Sequence, residues 1–313
     1  MTTADRPILD AAASRDRHAP GLGLAIMATG YVIMSLTDGV AKFLTDEISP
    51  GEIAWGRFFF QCVLTVPLVV AATGWRSLVP DRVFGNFMRG FLLACGTVMF
   101  FVGLTRIPLA DSAAIFFIQP FILTILSVVF EGERVGWRRW TAIVIGFGGA
   151  LLVIQPSFAE IGPYALFPAG SACCIAAYML LNRRLRGSGS AMAMQTFASL
   201  SGTVTISLVL FLTAGLAPVP ELAITAPTPA EWAFLAGIGG FAALGHYLMI
   251  IAFRYATPAV VAPMAYVQII SSTAFGYIVF GDFPDFGKWI GIAIVVSCGI
   301  YVFWRETRVK AKV

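Results

Sequence analysis

The sequence predicts an all-α, polytopic membrane protein: ten transmembrane helices arranged as two inverted five-helix repeats. Three observations predict it: the composition, the placement of basic residues, and a self-similarity at one fixed shift. Of 313 residues, 58% are hydrophobic and 12% are charged, against roughly 25% charged in an ordinary soluble domain. The mean hydropathy is +0.83. A soluble chain of this size has too little interior to hide so much apolar surface. A water-soluble enzyme, a nucleic-acid binder and a disordered chain are poor starting points on that ground. One helical span needs about 20 apolar residues, which leaves room for roughly ten spans and short connections.

Residues 1–20 mix Asp5, Arg6, Asp10, Arg15, Asp16 and Arg17 with small residues and predict a solvated cytoplasmic tail. The acidic residues and the long apolar run that follows argue against a cleaved signal peptide. Apolar segments then predict helices over 22–44, 51–73, 87–107, 109–130 and 138–155, and again over 163–185, 191–215, 229–253, 257–280 and 288–304. The segments are continuously apolar rather than alternating, which argues against a transmembrane β-barrel. The longest connection holds Pro218, Pro220, Pro227 and Pro229 and excludes a helix there. Residues 305–313 form a basic tail. The five cysteines lie in apolar stretches without metal-site spacing and read as packing residues.

Lys and Arg concentrate in cytoplasmic connections. With the amino terminus inside, 17 of the 21 basic residues fall on the cytoplasmic side, Arg89 counted among them. Arg106 and Lys288 fall outside, and Lys42 and Arg57 lie within spans. The asymmetry predicts a multi-pass protein of the cytoplasmic (inner) membrane with both termini cytoplasmic, hence an even number of spans.

A shift of 149 residues lays Ala110, Ala113, Gln119, Thr124, Gly132, Trp140, Ile143 and Ile145 on Ala259, Ala262, Gln268, Thr273, Gly281, Trp289, Ile292 and Ile294 without a gap. The repeat unit is thus five helices, 21–155 and 156–304. Five is odd, so the halves run in opposite senses. Inverted repeats are a signature of secondary transporters, whose solute site lies between the halves near the midplane.

Certain runs carry a further likeness: Ser35–Lys42 (SLTDGVAK), Glu52–Arg57 (EIAWGR), Pro108–Ala113 (PLADSA) and the Glu131–Glu133 turn (EGE). With ten helices in two inverted halves, the chain resembles the drug/metabolite transporter superfamily, in particular its EamA-type members, from about residue 22 to 304. The resemblance implies a secondary carrier for small organic solutes: amino acids and derivatives, or cofactor-type molecules such as riboflavin or S-adenosylmethionine. The second half departs from the pattern. Gly281–Asp285 has Asp282 in place of a Glu matching Glu133, and Arg57 has no basic counterpart in the seventh helix.

Ionisable groups in a bilayer are expensive, at about 2.5–3.5 kcal/mol each. Asp38 and Lys42 lie four apart on one helix face, and Arg57 enters about two turns into the second helix. Two readings fit: a charge cluster in the outer half of the cavity, with Asp38 and Arg57 on the solute and Lys42 at a gate, or an ion pair locking the first two helices. Asp111 follows Pro108 at a helix start and suits a helix N-terminus, where acidic groups are favoured; the alternative is a gate. Gln119 and Gln268 occupy equivalent positions near the midplane. Pro120 follows one and Pro263 precedes the other by about a turn, and proline frees backbone carbonyls that can line a cavity. These glutamines are the leading solute-binding candidates; an interhelical hydrogen bond is the alternative. His246 suits either proton coupling or packing. Trp55 and Tyr266 offer flat rings with a polar group for a planar solute, or interface anchoring.

The only Gly-Lys pair, Gly287–Lys288, fails the phosphate-loop pattern. No cofactor, metal or nucleic-acid partner is expected; the partners are a small-molecule solute and the lipid bilayer, and a homodimer is left open. The sequence therefore predicts a secondary active transporter and not an enzyme. The competing classes are an integral membrane enzyme acting on a lipid and a non-transporting structural bundle.

Overall fold

The computed structural model describes residues 19–133, 135–216, 219–256 and 258–310. The amino-terminal tail through residue 18 and the last three residues of the basic tail lie outside them. The first half comprises α1 (Pro20–Leu44), α2 (Pro50–Thr73), α3 (Val83–Leu104), α4 (Leu109–Phe116), α5 (Gln119–Glu131) and α6 (Trp137–Ile161). The second comprises α7 (Phe167–Arg184), α8 (Ala191–Leu216), α9 (Pro229–Tyr255), α10 (Pro258–Val261), α11 (Val267–Phe275) and α12 (Phe286–Lys310). Eight segments are long and apolar enough to cross a membrane; α6 and α12 hold shorter apolar stretches, Trp140–Val153 and Phe286–Tyr301.

Local chemistry sets the ends. Ser49 caps α2 by accepting the Glu52 N–H at 3.2 Å, and Pro50 occupies a position where no N–H is needed. Thr228 and Glu231 cap α9 reciprocally. Gly132 and Gly281, equivalent in the repeat, close the fourth and ninth segments with φ of 68° and 72°. Both sit in the left-handed region that glycine tolerates best.

The fourth and ninth predicted spans are both broken. The fourth turns at Phe117–Ile118 between α4 and α5. The ninth passes from α10 through a 3-10 turn, Ala262–Tyr266, into α11, and ends in a π-helical turn at Gly276–Phe280. Pro120 cannot donate to Phe116 O, nor Pro263 to the carbonyl four residues before it, so each regular ladder stops there. Gln119 is the first residue of α5 and Gln268 the second of α11.

Packing follows the repeat. The α1–α9 contact is matched by α7–α3, α2–α9 by α8–α3, and α1–α11 by α7–α5; α2–α8 and α6–α12 map onto themselves. Exchanging the halves therefore leaves these principal pairings unchanged, as a pseudo-twofold axis requires. A close approach anchors α1 on α9: a methyl on Gly30 would sit 3.2 Å from Gly245 O, and one on Gly245 3.3 Å from Gly30 O. Helices α6 and α12 pair at the periphery through Gly149 and Gly291, where small residues let backbones meet.

The face carrying the end of α1 is called distal here, the opposite one proximal. On the distal face Ser49 Oγ donates to Ala223 O at 2.6 Å and Glu52 accepts from Thr225. On the proximal face the Asp81 N–H donates to Ser188 O at 2.8 Å. Arg89, counted above among the connections, is instead inside α3 and 2% exposed. It donates to Asn182 Oδ1 at 2.7 Å and to Met194 O, and lies over the Tyr178 ring.

Candidate functional site

The two glutamines meet equivalent neighbours with different chemistry. Gln268 Nε2 donates to Asp38 Oδ2 on α1 at 3.0 Å. Gln119 Nε2 approaches Met179 Sδ on α7, the counterpart of α1, at 2.8 Å. One amide therefore holds a carboxylate and the other a thioether, a weak acceptor. Around Gln268 the backbone is pinned as well: Ser35 Oγ lies 2.6 Å from Ser271 Oγ and 3.2 Å from Gln268 O.

Arg57 stands on α2, 5% exposed, and donates from Nη1 to Thr97 Oγ1 on α3 at 2.6 Å. Its Nε has no hydrogen-bond partner among the described residues. Asp38 and Arg57 attract one another electrostatically, yet among the described residues they form no ion pair within 4.0 Å. One turn along α2, the Gln61 side chain is 1% exposed, its Oε1 has no partner among the described residues, and its Nε2 is 3.4 Å from His246 Nδ1. The same His246 nitrogen lies 2.8 Å from Ala242 O. The centre of the bundle thus holds a carboxylate, a guanidinium, amides and an imidazole, with unused donor and acceptor capacity.

Lys42 does not join Asp38, although the two share a face. Its Nζ pairs with Asp282 at 2.8 Å, donates to Ile107 O at 3.3 Å and lies 5.0 Å from the Phe280 ring centre. The expected three-member cluster is therefore two features: Asp38 with Arg57 toward the centre, and Lys42 with Asp282 at the distal face. Asp111, expected as a helix-terminus acid, makes no cap hydrogen bond; it is 1% exposed and pairs with Lys288 of α12 at 2.6 Å. Trp55 spends its indole N–H on Ser207 Oγ at 2.8 Å and stacks on Phe59 at 4.7 Å. The Tyr266 ring lies 5.3 Å from Phe117, and its hydroxyl fills the space a methyl on Gly299 would need. Both rings are thus engaged by protein.

Sequence reasoning passed over Thr97, Gln61, Met179 and Asp282. Gln61 carried a usable signal: an amide one turn after Arg57 in an otherwise apolar helix. Asp282 was visible only as the repeat partner of Glu133. Among the described residues, no group of three His, Cys, Asp or Glu side chains is placed to hold a metal ion.

Fold and site define a multi-pass helical membrane protein, built as a two-fold repeat around a polar centre. Comparison with known proteins then names its family. Residues 21–155 and 163–305 each match the family described as "EamA-like transporter family", and the chain belongs to that family. Among curated relatives, the S-adenosylmethionine uptake transporter of Rickettsia bellii is 26% identical, over 93% of this chain and 96% of the relative. The riboflavin transporter of Rhizobium johnstonii is 27% identical, over 93% and 94%. The pseudopaline exporter of Pseudomonas aeruginosa is 26% identical, over 85% and 92%. One protein of known crystal structure superposes with a TM-score of 0.61 at 16% identity, over 92% of this chain and 99% of the other; that likeness concerns the fold.

Proposed function

We propose that the protein is a secondary carrier, not an enzyme, moving a small organic metabolite across the cytoplasmic membrane by alternating access. All ten helices span, the distal face is external, and both termini are cytoplasmic. The observation that carries the reading is the pair of glutamines. They stand at equivalent helix breaks in the two halves, Gln268 on the buried Asp38 and Gln119 on Met179, in a bundle whose buried Arg57 does not pair directly with Asp38. A site on the pseudo-twofold axis is reached equally from either side when one half rocks against the other. Amides suit it because each offers a donor and an acceptor without the full desolvation penalty of a charge.

In this reading Gln119 and Gln268 grip the solute, Asp38 and Arg57 receive its charged groups, and Trp55 and Tyr266 wall the site. Lys42 and Asp111 hold the external side shut, and His246 tunes coupling through Gln61. The solute is an amino acid derivative or a cofactor-type molecule, the chemistry named for the Rickettsia and Rhizobium relatives. Purified protein is tested by thermal unfolding against a metabolite panel that includes S-adenosylmethionine and riboflavin. The stabilising solute should lose at least about ten-fold in affinity in Gln119→Ala, equivalent to about 1.4 kcal/mol, while the variant stays folded. Unchanged stabilisation refutes the binding role.

A further inference from the structure

The distal ion pair has a proximal counterpart. Glu131, at the end of α5, is 3.4 Å from Arg183 Nη2 and 3.9 Å from Arg184 Nε, both at the end of α7. Arg183 also donates to Ser127 Oγ at 3.0 Å, and Arg184 to Phe130 O. The cluster matches Lys42–Asp282 in the elements it joins, although in the 149-residue register Asp282 falls on Glu133 and Glu131 on Phe280. Helix α1 corresponds to α7, and Lys42 and Arg184 stand in the last turns of those two helices, Pro20–Leu44 and Phe167–Arg184. The fourth segment corresponds to the ninth, and both acids sit beside the equivalent glycines, Glu131 before Gly132 and Asp282 after Gly281. The two clusters occupy opposite faces. Lys42 touches Ile107 just before α4, whereas Glu131 ends the same broken segment, some 30 Å away at 1.5 Å per residue.

We propose that Lys42–Asp282 and Glu131–Arg183/Arg184 are paired gate latches for the central site, made by one device used twice and opening in alternation. This rests on the carrier reading above. Each latch joins the first helix of one half to the broken helix of the other, the contact that must part for the centre to meet solvent on that face. Both ion pairs are formed in this conformation. The distal latch is the less exposed, with side chains 15% and 32% accessible against 41%, 45% and 24% for the proximal one. Salt therefore weakens the proximal latch more.

The test reads distances and needs no solute. In full-length protein with the five native cysteines replaced, spin labels go on Phe43→Cys with Val279→Cys for the distal face, and on Val129→Cys with Arg186→Cys for the proximal face. Double electron–electron resonance is measured in lipid nanodiscs. Loss of one latch should shift the ratio of the two orientations by about five-fold, the effect of an ion pair near the top of the exposed range. Asp282→Asn should lengthen the distal distance and shorten the proximal one; Glu131→Gln should do the reverse. The swap Lys42→Asp with Asp282→Lys should return both distances toward wild type, which a folding defect would not. Changes of the same sign at both faces, or no change in either variant, overturn the proposal. Reciprocal shifts in a protein without solute flux would uphold the latches and refute the carrier reading.

Discussion

Replacing each glutamine by alanine separates what the two amides do. Gln268 supplies the one hydrogen bond that the Asp38 carboxylate accepts among the described residues, and Asp38 is 8% exposed. A hydrogen bond to a charged group contributes about 1.5–3 kcal/mol, and its loss leaves the buried charge unsatisfied. Gln119 donates to a thioether instead, and an average interhelical hydrogen bond in a membrane bundle is worth only about 0.6 kcal/mol. Gln268→Ala should therefore lower stability by about 2 kcal/mol and Gln119→Ala by less than about 1 kcal/mol. Packing loss runs the other way, because Gln119 is 8% exposed and Gln268 only half-buried. A larger loss at Gln268 is thus attributable to the carboxylate. Reversible unfolding in mixed micelles with increasing dodecyl sulfate supplies the measurement. The double-mutant cycle of Gln268→Ala with Asp38→Asn should show a coupling of about 1–2 kcal/mol. Equal losses from the two alanines, or no coupling to Asp38, would refute this account of the site.

Two further outcomes follow from the packing. Gly30→Leu forces a side chain into the α1–α9 contact, where even a methyl meets Gly245 O at 3.2 Å. It should cost about 3 kcal/mol or more, visible as a lowered melting temperature, whereas Gly237→Leu, where nothing lies within 4 Å of an added methyl, should be nearly neutral. Asp111→Asn removes the charge opposite Lys288 in a buried pair and should cost about 3 kcal/mol; adding Lys288→Met should recover part of the loss in the same thermal assay.

The architecture was legible because it is written in periodic, local signals. Apolar runs define segments, and the 149-residue shift already placed Gln119 on Gln268, equivalent positions in the structure. Pro120 and Pro263, read as freeing carbonyls within continuous helices, stand where those helices break, as a turn and a 3-10 segment. Pairings across the sequence were less legible. Lys42 lies four residues from Asp38 but pairs with Asp282, 240 residues away, because the ninth segment delivers that carboxylate to the end of α1. Asp111 looked like a helix-terminus acid by position; its partner Lys288 comes from the helix that packs outside it. Arg89 was counted with the cytoplasmic basic residues although the predicted helix began at residue 87; α3 starts at Val83 and carries it into the bundle. Long-range partners depend on helix rotation and depth, which composition does not encode.

The central claim is one solute site on the pseudo-twofold axis, gripped by Gln119 and Gln268 and open to each face in turn. Solute counterflow in proteoliposomes tests it most directly. Vesicles loaded with unlabelled solute, chosen from the stabilising members of the metabolite panel, are diluted into a trace of the same solute bearing a radiolabel. Wild-type protein should accumulate label transiently and saturably, and Gln119→Ala with Gln268→Ala should abolish the accumulation while remaining folded. Wild-type counterflow in that double variant, or label entry that is linear in concentration and indifferent to the internal solute, would contradict the account.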